Sequence, residues 1–419
     1  MKDLSRLNCL VYDYGLHTEI AVRLARDFGS VKYYCHWEDA FPKSKLMRVG
    51  AGLEGVERVK DFWMELANGG IDFVYVPDTL CGGIVEFLRK SGVPVAGPGT
   101  AQEFEQDRVF GRFDVQKEAG LPTQKTIVIK GITKTREFLK ANKDEFFIKL
   151  NTSRGDRESF KHVDYEQTEP ILDKLAYDLG PWKEEEEFII EEVIPGIEPG
   201  FDGIVMGGEY LSPTMYGYEM KGGGFIGRVC KYEDLPKPLK VVNDKLSPYF
   251  KETDTRCFFS TEIKLGKDKV PFLIDPTVRH PGPVGFSIQT ELIENFSQVV
   301  YGMGIGQKVQ PVMRYKYAGG VSYNSDEARD NWMRIKFPAE MRRWIKLRMA
   351  AKIGDSYYSA PGFDNICTVI ALSNFIDEIP EMIKERTDAI QALSIDKDMS
   401  GLDYIKEQIE EGKKYGISF

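Results

Sequence analysis

Through the first hundred residues, short apolar runs alternate with amphipathic stretches. The run LNCLVY at 7–12 reads as a strand, and DYG after it breaks the pattern. Ile20, Leu24 and Phe28 then fall on one helical face. VKYYC at 31–35 predicts a second strand, followed by an irregular stretch through Pro42. A helix over 54–68, a strand over 71–78, a helix over 82–90 and a strand over 93–97 complete the series. Alternating strand and helix imply a parallel sheet flanked by helices. Ligands of such sheets gather at the carboxyl ends of the strands, where Asp13 and Asp78 fall. No GxGxxG follows the first strand, so the pattern does not favour a dinucleotide.

The triplet GPG at 97–99 is a sharp break. Residues 100–120 read as one helix ending on Gly120, and LPTQKTIVI then opens a new unit with a strand. That unit contains EFFIKLN at 145–151, the polar loop TSRGDRESF, the strand FIIEEVI at 188–194 and the loop KGGGFIG at 221–227. It closes with a helix over 287–301. Beyond it VQPVMRYKYAGG and NICTVIALS predict strands, and helices are expected over 376–391 and 401–412. The domains expected are therefore 1–100, 101–309 and 310–419.

The stretch FFSTEIKLGKDKVPFLIDPTVRHPGPVG, from Phe258 to Gly285, reads as an antiparallel hairpin. Its two apolar strands carry Glu262 and Asp275, with Thr277 and Arg279 just beyond. An acid inside an apolar strand is costly unless a cation satisfies it. Two acids on neighbouring strands make a hard, oxygen-rich site suited to Mg²⁺, with Arg279 as a fixed positive charge. The same residues are equally compatible with a structural salt bridge to Arg279 or a nearby lysine.

Composition narrows the function classes. A chain of 419 residues holds several compact units. The net charge of -9 argues against a surface built for a nucleic-acid backbone. The amino-terminal stretch is too polar for a signal sequence and no run of about 18 apolar residues occurs, so a cytoplasmic protein without a membrane span is expected. The six cysteines show no metal spacing and read as reduced thiols; the four histidines are scattered.

Several motifs in this order resemble the ATP-grasp ligases, and within them the phosphoribosylamine–glycine ligase (glycinamide ribonucleotide synthetase) family. They are the run from IDFVYVPDTLCGG through GPGT to EAGLPT, the segment IIEEVIPGIEPGFDGIVMGGEYL, the acidic hairpin, and NICTVIALSNFIDEIPEMI. The resemblance implies an α/β chain, α+β overall, in which an amino-terminal parallel α/β domain and a small carboxyl-terminal α+β domain flank an ATP-grasp domain. It implies ATP, two Mg²⁺ ions with Mn²⁺ as an alternative, a small carboxylate such as glycine or another amino acid, and an amine.

Carried over by position, the resemblance assigns Lys149 and Arg108 to the nucleotide phosphates, Arg108 standing where the family has lysine. Glu191 and Glu192 enter the nucleotide hinge, where the peptide groups of Glu192 and Ile194 would read the adenine edge and Glu198 the ribose hydroxyls. Glu262 and Asp275 would hold the metal with Thr277, which replaces the family's asparagine, and Arg279 would be catalytic. DYGLHTEIA stands where the family has GxGxREHA, so the glycines that shape a substrate phosphate site are missing. The reading implied is an ADP-forming carboxylate–amine ligase with an altered amine. Its rivals are an ordinary phosphoribosylamine–glycine ligase and a regulatory nucleotide-binding protein, for which Glu262, Asp275 and Arg279 together would be superfluous.

Overall fold

The computed structural model describes residues 2–35, 48–152, 159–220 and 223–419. Its first sheet is five-stranded and wholly parallel. Asn8–Asp13 lies at the centre between Ser30–Cys35 and Phe73–Tyr75, with Val56–Arg58 and Val95–Ala96 at the edges. All but the first residue of the central strand are buried, which is why it reads as an unbroken apolar run.

The helix expected over 54–68 is only partly present. Val56–Arg58 adds to the sheet as an edge strand, and the helix is confined to Phe62–Ala67, where Asp61 caps the Met64 N–H at 2.9 Å. The helix expected over 100–120 is broken at Asp107, whose extended backbone lets its carboxylate cap the Phe110 N–H at 2.9 Å. A turn of π-helix follows at Gly111–Val115.

A four-stranded antiparallel sheet comprises Thr126–Lys130, Glu187–Glu192, Phe146–Leu150 and Ser159–His162 in that order. Ile148 and Phe188 pack with Ile132 and Leu172 of the helices Ile132–Ala141 and Tyr165–Leu179.

The largest sheet is ten-stranded, and its neighbours pair antiparallel from Pro271–Thr277 through Arg256–Leu265 and Pro199–Met206 to Thr214–Met220 and Gly224–Cys230. It continues without interruption into Tyr317–Ser325, Asn365–Ser373 and Ile345–Leu347. The strands expected after 310 therefore extend the sheet of the preceding unit, and one apolar cluster reaches from Phe201 and Leu273 to Val369 and Ile405. The strand expected from VQPVMRYKYAGG begins only at Tyr317. The helix expected over 287–301 is two, Pro283–Leu292 and Phe296–Gly304. Asn295 between them is held aside by bonds to the Val312 N–H (2.8 Å) and the Gln310 carbonyl (2.9 Å). None of the six cysteines forms a disulfide. Among the described residues no helix is long and apolar enough to cross a membrane.

Buried charge joins the chain's ends. Glu19 accepts from Arg342 (2.9 and 3.0 Å) and the Leu347 N–H (3.1 Å). Glu291 accepts from Arg26 (2.8 and 3.0 Å), Arg343 (2.7 Å) and Lys346 (2.6 Å). Burial alone would raise the Glu291 pKa, but Lys346 and Arg26 outweigh it and hold it at about 2. A carboxyl depressed in this way stabilises the fold above its unfolded pKa of about 4.3. That contribution fades as the pH falls toward about 2. Replacing Glu291→Gln leaves Lys346 with only a 4.0 Å contact to Glu19. Denaturant unfolding at pH 7 should show a loss of about 3–5 kcal/mol, shrinking only as the pH falls below about 4.3 toward about 2, where the folded parent protein takes up its own proton.

Candidate active site

The two acids of the hairpin face one another. Glu262 is directly opposite Asp275 in the ladder between Arg256–Leu265 and Pro271–Thr277, so their side chains share a face. Ser260 is opposite Thr277, and each lies two residues from an acid along its strand, on the same side. The register then slips, Ile263 pairing with Leu273, so that Ile274 is the extra residue of a bulge. Two carboxylates and two hydroxyls are hard oxygen donors, the set that suits Mg²⁺ and not a thiophilic metal.

A cationic wall stands beside the hairpin. Lys149, on Phe146–Leu150, donates to the Ile274 carbonyl at 3.1 Å and pairs with Glu191 at 3.1 Å. Arg112 reaches the same Glu191 at 2.5 Å and donates to the Leu273 carbonyl (2.6 Å) and Gln116 (2.7 Å). Arg108 donates to the Leu150 carbonyl at 2.6 Å. Arg108, Lys149 and Asp275 thus line one cleft.

Glu191, expected in the nucleotide hinge, is buried under this wall as the counter-ion of Lys149 and Arg112. Burial would raise its pKa, but Lys149 and Arg112 overcome that and lower it. Nothing in the motifs marked Arg112. Its only signal is its place four residues after Arg108, which puts both on one face of a helical stretch.

The remaining hinge residues are divided. Glu192 is exposed; its carboxylate accepts from the Lys125 N–H (2.9 Å) and its own N–H donates to the Lys125 carbonyl (3.1 Å). That N–H is therefore already engaged, and Ile194 lies just past the strand's end. Glu198 pairs with Lys264 at 2.9 Å. Glu198, Glu262 and Ser260 line a second recess, with Glu219 on its far side in sequence.

Arg279 makes its ion pairs away from the hairpin acids. Its guanidinium meets Glu105 (2.8 and 2.9 Å) and Asp78 (3.4 Å), and Glu105 also accepts the Val278 N–H at 2.8 Å. The salt bridge open to the hairpin residues thus forms with acids from elsewhere in the chain. Burial opposes the charge on Arg279, but Glu105 and Asp78 prevail and raise its pKa. Glu105 was not foreseen, because in a continuous helix over 100–120 it is one polar position among many.

Asp13 and Asp78 do lie at the carboxyl ends of the parallel strands, with ligand atoms of Asp13, His17 and Asp78 within 4.8 Å of one another. Asp13 accepts from the His17 N–H (2.8 Å) and the Tyr33 hydroxyl (2.6 Å). His280 nearby bonds Gln289 (2.7 Å) and Tyr75 (2.6 Å); burial pushes it down to about 3, so its imidazole is neutral. Residues 153–158 of the TSRGDRES loop and 221–222 of KGGGFIG lie outside the described residues.

No protein-family model matches the chain, and no curated protein matches it by sequence. Solved structures do. Phosphoribosylamine–glycine ligase from Thermotoga maritima superposes with a TM-score of 0.69 at 17% identity, over 92% of this chain and 98% of that one. The biotin carboxylase domain of Hydrogenobacter thermophilus 2-oxoglutarate carboxylase gives 0.69 at 12% identity, over 97% and 98%. L-amino acid ligase from Bacillus licheniformis gives 0.62 at 14%, over 94% and 99%. At these identities the likeness is one of fold, and the fold of this chain is ATP-grasp, as its collinear motifs led us to expect.

Proposed function

We propose that the chain is an ATP-dependent, ADP-forming carboxylate–amine ligase that works through an acyl phosphate, and that its amine differs from phosphoribosylamine. The observation that carries this reading is the pairing of Glu262 opposite Asp275 on one sheet face, next to a cleft lined by Lys149 and Arg108. The fold supports it. The 2-oxoglutarate carboxylase domain was solved with ADP, its magnesium salt and bicarbonate, and two other neighbours are named as ligases of glycine or of L-amino acids.

In this reading Glu262, Asp275 and Thr277 hold Mg²⁺, which supplies charge neutralisation to the nucleotide phosphates when bound. Lys149 and Arg108 bind and orient those phosphates. The substrate carboxylate attacks the γ-phosphorus, the bond to the bridging oxygen breaks, and ADP leaves. The amine then attacks the acyl carbon, phosphate departs with its oxygen, and the amine gives up a proton. Arg279, rigidly held by Glu105 and Asp78, lies just past the metal residues and stabilises negative charge on the transferring group.

The altered amine follows from what occupies the first turn. Where the family has the first glycine of GxG, this chain places Asp13, whose carboxylate already takes the His17 N–H. A second anion there would meet the Asp13 carboxylate and find that amide engaged.

Glu262→Gln or Asp275→Asn should lower ADP formation by at least about 100-fold while a fluorescent ATP analogue still binds. Normal turnover by either variant would remove the hairpin from the site. With its carboxylate substrate and hydroxylamine in place of the amine, the protein should yield a hydroxamate, because an acyl phosphate reacts with any good nucleophile. Active protein that yields none would count against the intermediate.

A further inference from the structure

A cleft of about 680 Å³ that the ligase reading leaves unused lies where Thr214–Met220 meets the carboxyl-terminal strands of the ten-stranded sheet. It shares Glu219 with the recess that holds Glu198 and Glu262, so the two open on either side of one acid. A volume of this size is that of a small-molecule site and exceeds what glycine needs.

Four charged side chains line it: Glu219, Arg329, Arg348 and Asp364. Arg329 and Asp364 neutralise each other at 2.8 Å. Glu219, at the end of Thr214–Met220, and Arg348, one residue past Ile345–Leu347, reach the cleft from strands that are not neighbours in the sheet.

Arg348 is held in position without being used up. Its guanidinium lies over the Phe363 ring at 5.5 Å, and its Nη1 is 3.5 Å from the Asn365 oxygen, the limit of a hydrogen bond. Its Nε is shut off from solvent and has no hydrogen-bond partner among the described residues. A buried donor of this kind costs free energy until an acceptor arrives, and the edge of a guanidinium matches a carboxylate with two parallel bonds.

The surroundings select the anion. Burial and Arg279 work against the charge on Arg348, and Asp78, Asp13 and Asp364 favour it, so three acids already surround this cation. A dianionic phosphate would add to that negative field, whereas a carboxylate accompanied by its own ammonium brings no net charge. Met220, Val284 and Phe363 give the same cleft an apolar wall that glycine would leave uncovered.

We propose that this cleft binds an α-amino acid with an apolar side chain, its carboxylate on Arg348 and its side chain against Met220, Val284 and Phe363, with Glu219 on the ammonium side. This names a substrate of the ligase reading and rests on it. It departs from glycine as the preferred amino acid, and it gives the carboxyl-terminal strands a part in specificity.

The test is equilibrium binding by calorimetry, which needs no turnover. L-leucine, glycine, L-leucinamide and O-phosphoethanolamine are titrated into the full chain and its variants. L-leucine should bind at least tenfold more tightly than glycine and than L-leucinamide, which lacks the carboxylate. Arg348→Gln should lose L-leucine by tenfold or more while a fluorescent ATP analogue binds as before. Arg348→Lys keeps the charge but not the fork and should fall between; it carries the test if Arg348→Gln melts early. Unchanged L-leucine binding in Arg348→Gln, no L-leucine binding to the parent protein, or preference for O-phosphoethanolamine would each overturn the proposal. Any of these, found together with hydroxamate formation from another carboxylate, would leave the ligase reading standing.

Discussion

Arg279 is the charge around which the parts of this molecule are brought together. Its backbone continues the hairpin that carries Asp275 and Thr277, and its side chain reaches Glu105 from the broken helix and Asp78 beyond a strand of the parallel sheet. Three separate segments thus meet at one largely buried guanidinium. An ion cluster of this kind tolerates no missing member, since each loss strands a charge away from water. The position of Arg279 relative to Glu262 and Asp275 is therefore set by the packing of the parallel sheet against the antiparallel one.

A second cluster repeats the principle beside the same hairpin. Glu191 sits between Lys149 and Arg112, and both cations also donate to carbonyls of the hairpin strand, at Ile274 and Leu273. The four-stranded sheet is thereby pinned to the edge strand of the large one. Lys149 is held in the same cleft as Asp275 by a buried acid, so its ammonium is positioned before any ligand arrives.

The large sheet supplies the remaining constraint. Because Gly224–Cys230 pairs with Tyr317–Ser325, the carboxyl-terminal strands are continuous with those that bear Glu262. Glu219 and Arg348 can therefore line a single cleft although they are far apart in the chain. The ion pairs of Glu19 and Glu291 with Arg342 and Lys346 close the same interface from the amino-terminal side.

The sequence by itself determined the layered order of the fold and the identity of the hairpin. Both depend on local pattern: alternating strand and helix periods for the parallel sheet, and two apolar runs around GKDK for the pairing that sets Glu262 opposite Asp275. Lys149 and Arg108 stood out through the motifs around them, and both line the cleft that Asp275 also lines. The sequence did not disclose that Glu191 serves Lys149 and Arg112, that Arg279 pairs with Glu105 and Asp78, that the helix over 100–120 breaks at Asp107, or that Arg348 lines a cleft with Glu219. Those outcomes hang on which charges meet once three sheets are packed. A charged side chain on a single strand or helix looks the same whether it ends in water or against a counter-ion a hundred residues away; only burial, which tertiary structure alone decides, makes the pairing obligatory.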